Sequence, residues 1–161
     1  MAAYLDPAAL GDEPLSVSGA LRTLLTSAEP GDYVALLAYL PADPGIAQAL
    51  QRMRAGIHER LGVATTLGFG PRFLHSTGQL HKGGPNTGRF LQITAEPSRD
   101  LPIPGWEESF GTLIAAQALG DLASLQKRKR RVLRIHLADA AAGLANLEAM
   151  IRETLAAVPA A

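Results

Sequence analysis

Apolar positions along the chain follow two periods, and the alternation between them lays out the fold. Leu21, Leu24, Leu25 and Ala28 recur at helical spacing behind Ser16 or Ser18, either of which can cap a helix, and Pro30-Gly31 ends the pattern. Tyr33 to Leu40 is then a continuous apolar run bounded by Pro30-Gly31-Asp32 and Pro41, the pattern of a central strand covered on both faces. Ile46, Ala49, Leu50, Met53, Ile57 and Leu61 fall on one helical stripe that Gly62 closes. Val63 to Phe69 and Arg89 to Thr94 read as strands with a long polar loop between them. Glu96 to Glu108 is an irregular surface connection with three prolines. Ser109 can cap a helix carrying Leu113, Ile114, Ala116, Leu119, Leu122 and Leu125, with an interruption expected at Gly120-Asp121. Val132 to Leu137 alternates as a strand, and Leu144, Leu147, Met150, Ile151 and Leu155 mark a last amphipathic helix.

After the first helix the order is therefore β-α-β-loop-β-α-β-α. It predicts an α/β domain over residues 15–161, an α+β sandwich with an about four-stranded, mainly antiparallel sheet of split β-α-β type and helices packed on it. A doubly wound parallel sheet is the alternative. Residues 1–14 mix Ala, Pro, Gly, Asp and Glu without periodicity and read as a flexible tail or linker.

Composition narrows the chemistry. Fifteen lysines and arginines balance fifteen aspartates and glutamates, so no global field draws the chain to nucleic acid or an anionic membrane, and neither is expected as a partner. The absence of cysteine removes disulfides, thiolate nucleophiles and cysteine-based metal sites. No stretch approaches the roughly 18 apolar residues of a membrane span and the start has no leader pattern, so a cytoplasmic protein is expected.

The stretch Gly70 to Gly88 holds the distinctive chemistry. Arg72, His75, Ser76, Thr77, Gln79, His81, Lys82, Asn86 and Thr87 are interleaved with glycines, including Gly83 and Gly84, and no Asp or Glu intervenes. Convergent N–H and O–H donors with a cation and no competing carboxylate are what a phosphate or carboxylate needs. These residues are the expected ligand-binding set for a phosphorylated sugar or another small anion. A rigid polar plug, in which the donors bond to the loop's own carbonyls, is the structural counter-reading. Lys82 precedes the Gly83-Gly84 pair, so neither the P-loop nor the dinucleotide fingerprint is present, and no cofactor is expected. His75 and His81 have no third ligand nearby and match no zinc spacing, so no metal is expected.

This segment, Gly68-Phe69-Gly70-Pro71-Arg72 through Pro85-Asn86-Thr87-Gly88, resembles the C-terminal region of the bacterial bifunctional transaldolase/glucose-6-phosphate isomerase fusion proteins. The likeness extends to Pro30-Gly31-Asp32-Tyr33, Leu101-Pro102-Ile103-Pro104-Gly105, Phe110-Gly111-Thr112-Leu113 and Arg130 to Leu137. It implies a place in sugar-phosphate metabolism. No segment resembles the transaldolase Schiff-base strand or the glutamate-base and C-terminal lysine regions of the isomerase, so the resemblance carries over no catalytic residue.

Three functions follow as expectations. The first is an accessory domain of a sugar-phosphate isomerase/transaldolase system that binds a phosphorylated sugar, or docks on an isomerase or transaldolase core, through the Gly70 to Gly88 loop. The second is a small independent sugar-phosphate isomerase or aldolase-like enzyme, with His75 or His81 as proton carrier and Lys82 as electrostatic stabiliser or imine former. The third is an interaction module. Among the remaining features, the basic run Lys127 to Arg131 suits a helix C-terminus. His58 reads as a surface residue, and His136 alternates with Arg134 and faces solvent or a partner. Trp106 reads as a lid over a core edge or a sugar-stacking platform, with Glu107 and Glu108 beside it.

Overall fold

The computed structural model describes residues 2–5 and 16–158. Its strands are β1 (Ala2–Leu5), β2 (Tyr33–Tyr39), β3 (Ala64–Phe69), β4 (Gly88–Ala95) and β5 (Arg131–Leu137). Its helices are α1 (Val17–Thr26), α2 (Pro44–Leu61), α3 (Ser76–Gly83), α4 (Phe110–Lys127) and α5 (Ala140–Ala156), with a 3-10 turn at Arg72–Leu74. Of the expected tail, residues 2–5 form β1, and residues 1 and 6–14 lie outside the described residues.

Local chemistry accounts for the element ends. Ser16, Asp43, Ser109 and Asp139 cap the helices that follow them by accepting from backbone N–H groups two or three residues further on. Pro44 opens α2, where its missing N–H costs nothing, and Gly62 closes it with φ 66°, a conformation that a side chain would strain.

The sheet runs β1-β5-β4-β2-β3, with β2, β3, β4 and β5 mutually parallel and only β1 antiparallel, on β5. This overturns the expectation of a mainly antiparallel split β-α-β sheet and fits the doubly wound alternative. The source of the error is local. Residues 76–83, expected as loop, form α3, so every link between successive parallel strands contains a helix and none is a hairpin. A helical crossover returns the chain to the edge it left, and the next strand then runs parallel.

Helices cover both faces. On one, α1, α2 and α5 pack over Val34, Leu36 and Ala38 of β2, Leu91 and Ile93 of β4, and Leu133, Ile135 and Leu137 of β5. On the other, Ala118, Leu122 and Leu125 of α4 and Phe73 of the 3-10 turn cover Ala35, Leu37, Tyr39, Phe90 and Val132. The expected break at Gly120-Asp121 does not occur; α4 is continuous, and Asp121 points inward. Strands β2 and β4 are neighbours whose following helices, α2 and α4, lie on opposite faces, so a crevice opens above their carboxyl ends.

The opposite end of the sheet is tied by charge. Asp32, just before β2, accepts from Arg89 of β4 at 2.9 and 3.0 Å and from Arg131 of β5 at 3.3 Å. Arg89 also donates to the Ser27 carbonyl and hydroxyl after α1. Burial pushes the Asp32 carboxyl up, but hydrogen bonds from the Glu29 N–H and Arg89, with the charges of Arg131 and Arg89, outweigh it and hold the group below its usual range. The Arg89 side chain is 4% exposed. Asp32→Ala should therefore cost about 3 to 5 kcal/mol, because it leaves a buried guanidinium without its counter-charge. Urea denaturation of the parent and variant measures this, and a loss well under 1 kcal/mol would refute it.

Candidate functional site

Structure divides the Gly70 to Gly88 segment into two parts. In its second half His81 and Lys82 are turned inward. The His81 ring is buried, stacks with Tyr33 at a centroid distance of 5.7 Å, meets the Phe90 ring edge-on, and shares a 2.9 Å hydrogen bond between its Nδ1 and the Tyr33 hydroxyl. Lys82, expected to offer its charge to an anion, forms a 2.7 Å ion pair with Asp121 of α4, whose side chain is 2% exposed. Arg130 donates to the carbonyls of Lys82 and Gly84, and Arg131 to that of Asn86, so the basic run holds this segment down. Asn86 donates to the Lys129 carbonyl, and the Thr87 carbonyl accepts from the Tyr33 N–H. At Gly84 a Cβ would lie 2.6 Å from the Leu80 carbonyl oxygen, so the close turn there excludes a side chain.

The first half faces outward. Arg72, His75, Ser76, Thr77 and Gln79 are exposed, as is Gly83 at the end of α3. Arg72, Thr77 and one edge of His81 line a cleft of about 370 Å³ with Thr66, Gly68 and Phe73. Among the described residues Arg72 forms no ion pair or hydrogen bond. The expected binding set is thus not one site: Arg72 and Thr77 meet at this cleft, while Lys82, Gly84, Asn86 and Thr87 serve the packing of α3 and the start of β4.

A larger cavity of about 690 Å³ lies elsewhere, in the crevice above β2 and β4. Tyr39 and Pro41 form its floor, residues 94–101 one wall, Phe110, Ile114 and Ala118 of α4 another, and Arg134 and His136 of β5 its far side. Thr94 and His136 are register partners on adjacent parallel strands, and the Thr94 hydroxyl lies 2.9 Å from His136 Nδ1. His136 Nε2 lies 3.0 Å from a Glu96 carboxylate oxygen, while the Glu96 N–H is anchored on the Leu137 carbonyl. An ionised Glu96 can only accept, so Nε2 donates to it and Nδ1 is left to accept from Thr94. Such an imidazole can take a proton at Nδ1 while Glu96 stabilises the resulting cation.

The charges around this crevice have distinct duties. Asp100 accepts from the Ser109 hydroxyl and from the N–H groups of Gly111 and Leu101, and these bonds, the Ser109 one foremost, hold its carboxyl below the usual range. It closes the first turn of α4, so that helix end is already satisfied by an internal anion. Arg99 lines the cavity with no ion pair or hydrogen bond among the described residues, and Arg134 lines it from β5. Tyr39 sits below; burial first and the Asp121 carboxylate second push its phenol up, which keeps it a neutral hydroxyl.

His136, expected to face solvent or a partner, instead joins two side chains at the cavity wall. Trp106, expected as a lid or a stacking platform, is 69% exposed and does not line the cavity, nor do Glu107 and Glu108. His58 is exposed, with Nδ1 2.8 Å from the Val63 carbonyl at the end of α2. The signal that leads to Thr94, Glu96, Arg99 and His136 is the parallel topology, since ligands of such sheets sit at the strands' carboxyl ends.

No family model matches the chain, and no curated protein matches it. Among solved structures it resembles the hypothetical protein TT0462 from Thermus thermophilus, with a TM-score of 0.68 and 17% identity, over 84% of this chain and 36% of that one. The likeness establishes the fold, and the chain spans about a third of that structure's length. Among the described residues no helix is long and apolar enough to cross a membrane.

Two outcomes follow from the inward half of the segment. Lys82→Ala strands a buried carboxylate and should cost about 3 to 5 kcal/mol, much of which Lys82→Met combined with Asp121→Leu should restore. Thermal melts of the three proteins decide, and a Lys82→Ala protein as stable as the parent would remove the pair from the account. Burial holds the His81 imidazole below its ordinary 6.5, with Asp121 opposing and Lys82 reinforcing the effect. The unfolded chain therefore takes up this proton first, so the His81 contribution is complete above about pH 6.5 and is lost as the pH falls below it. His81→Phe should flatten the fall in melting temperature between neutral and mildly acidic pH.

Proposed function

We propose that this chain binds a small phosphorylated, polyhydroxylated ligand, a sugar phosphate, in the crevice above β2 and β4, and that His136 exchanges a proton with it through the Thr94 hydroxyl, which passes its own proton to Nδ1 as it takes one from the ligand. The observation that carries this reading is the cavity of about 690 Å³ at the point where the strand order reverses. Doubly wound sheets bind ligands there, and the volume falls in the range of small-molecule sites. Arg99 supplies a guanidinium for the phosphate, and Thr94 and His136 supply hydrogen-bonding groups for hydroxyls. The Thr94–His136–Glu96 chain gives the imidazole the fixed orientation that proton exchange requires. The resemblance to the transaldolase/isomerase fusion proteins supports the choice of a sugar phosphate and a role as an accessory or catalytic part of such a system.

Titration calorimetry with glucose 6-phosphate, fructose 6-phosphate and inorganic phosphate tests this, together with the His136 ring resonances. Arg99→Ala should weaken the sugar-phosphate titration roughly tenfold or more, through loss of a charge-assisted contact of about 1.5 to 3 kcal/mol. Saturating ligand should also shift the His136 ring resonances. If no sugar phosphate gives heat or shifts His136, the reading falls. A second reading places the anion at the cleft beside Thr77, because Arg72 there has no partner among the described residues; Arg72→Ala in the same titration separates the two.

A further inference from the structure

The outer face of α4 has the composition of a buried one. From Phe110 to Gln126 the only charged residue is Asp121, and it is directed inward to Lys82. The core side of the helix is made by Ala118, Leu122 and Leu125. Opposite, at helical spacing, lie Leu113, Ala116, Leu119, Gly120 and Ala123, all exposed, with Leu113 at 41% and Leu119 at 50%. Helices α2 and α5, on the far side of the sheet, instead expose Arg52, Glu59, Arg152 and Glu153. Folding alone explains the charged faces of α2 and α5 but not the bare face of α4, since a helix covering a sheet needs only one apolar stripe.

Gly120 sharpens the contrast. A glycine inside a helix costs about 1 kcal/mol relative to alanine. Nothing in the fold offsets this, because φ is ordinary and a Cβ at Gly120 would meet no atom within 4 Å. A site that keeps its backbone bare on an apolar, outward face suits the close approach of another helix.

We infer that this face is a seam between two copies of the chain, with the two α4 helices packed antiparallel about a two-fold axis that crosses the outer face close to Leu119, level with position 118 along the helix. The sequence of the helix is self-complementary about that point. Leu113 of one copy falls over Ala123 of the other, and Ala116 over Gly120, so large residues meet small ones. The flanks match in charge: Glu107 and Glu108 before the helix come beside Arg128 and Lys129 after it. A two-fold seam repeats each of these contacts, as an isologous interface requires. A parallel arrangement would instead set Glu107 and Glu108 against their own copies and bring like charges together.

The full chain should sediment as a dimer at concentrations of about 10 to 100 μM, within the range of modest homodimer interfaces. Leu119→Glu places two carboxylates at the axis, and Gly120→Ile fills the gap while meeting open space in the single copy. Each should weaken association tenfold or more with the melting profile of the monomer intact. Glu107→Lys with Glu108→Lys should weaken the dimer at low salt, and Arg128→Glu with Lys129→Glu added to it should restore association. A parent chain that stays monomeric at about 100 μM would overturn the inference. So would a dimer indifferent to both Leu119→Glu and Gly120→Ile. Since none of these residues lines the crevice, the ligand titrations stand or fall independently.

Discussion

Strand β2 has no side that water can occupy. From Val34 to Tyr39 every residue is buried, alternate side chains entering opposite cores. Such a strand is stable only at the middle of a sheet with a layer on each face, and the remaining elements are arranged to supply those layers. The first crossover, α2, takes one face with α1 and α5; α3 and α4 must take the other. The reversal of strand order beside β2 follows, and with it the crevice at the carboxyl ends. The location of the crevice cavity is thus a consequence of burying one apolar run twice.

The second layer is the thinner one, which explains why so much polar chemistry goes into holding it. Helix α3 has eight residues and contributes little apolar surface, since Leu80 points outward. It is attached instead by the Tyr33–His81 contact, the Lys82–Asp121 pair and the Arg130 bonds to its last carbonyls. Each of these groups surrenders hydration on burial and gains a partner in return: a phenol for His81, a counter-charge for Lys82 and backbone carbonyls for Arg130. Several residues that look like ligand donors in the sequence are used in this attachment, while Arg72, His75, Ser76, Thr77, Gln79, Gly83 and Asn86 remain at the surface.

The crevice draws on a different set of elements. Thr94 and Glu96 come from the end of β4, His136 from the neighbouring strand, and Arg99 from the connection that Asp100 stitches to the start of α4. Strand register sets the Thr94–His136 pair, so its geometry belongs to the most rigid part of the molecule. Arg99 sits on the connection, where a side chain can adjust to a ligand.

Element positions were legible in the amino-acid order because they rest on interactions within a few residues. Periodicity located every strand from β2 to β5 and every helix except α3, and Ser109 and Gly62 marked ends that the structure keeps. The polar 76–83 stretch escaped because its inward side is made of His81 and Lys82, which are buried only against Tyr33 and Asp121, and its loss turned a parallel sheet into an antiparallel expectation. Strand direction, the Lys82–Asp121 pair and the Thr94–His136–Glu96 chain each join residues about forty apart. The sequence by itself determined which segments could be helix or strand, since backbone propensity, capping and local burial pattern act at short range. Only the tertiary structure decided which polar groups are consumed in packing and which face a cavity, because that depends on what lies across the sheet from each of them.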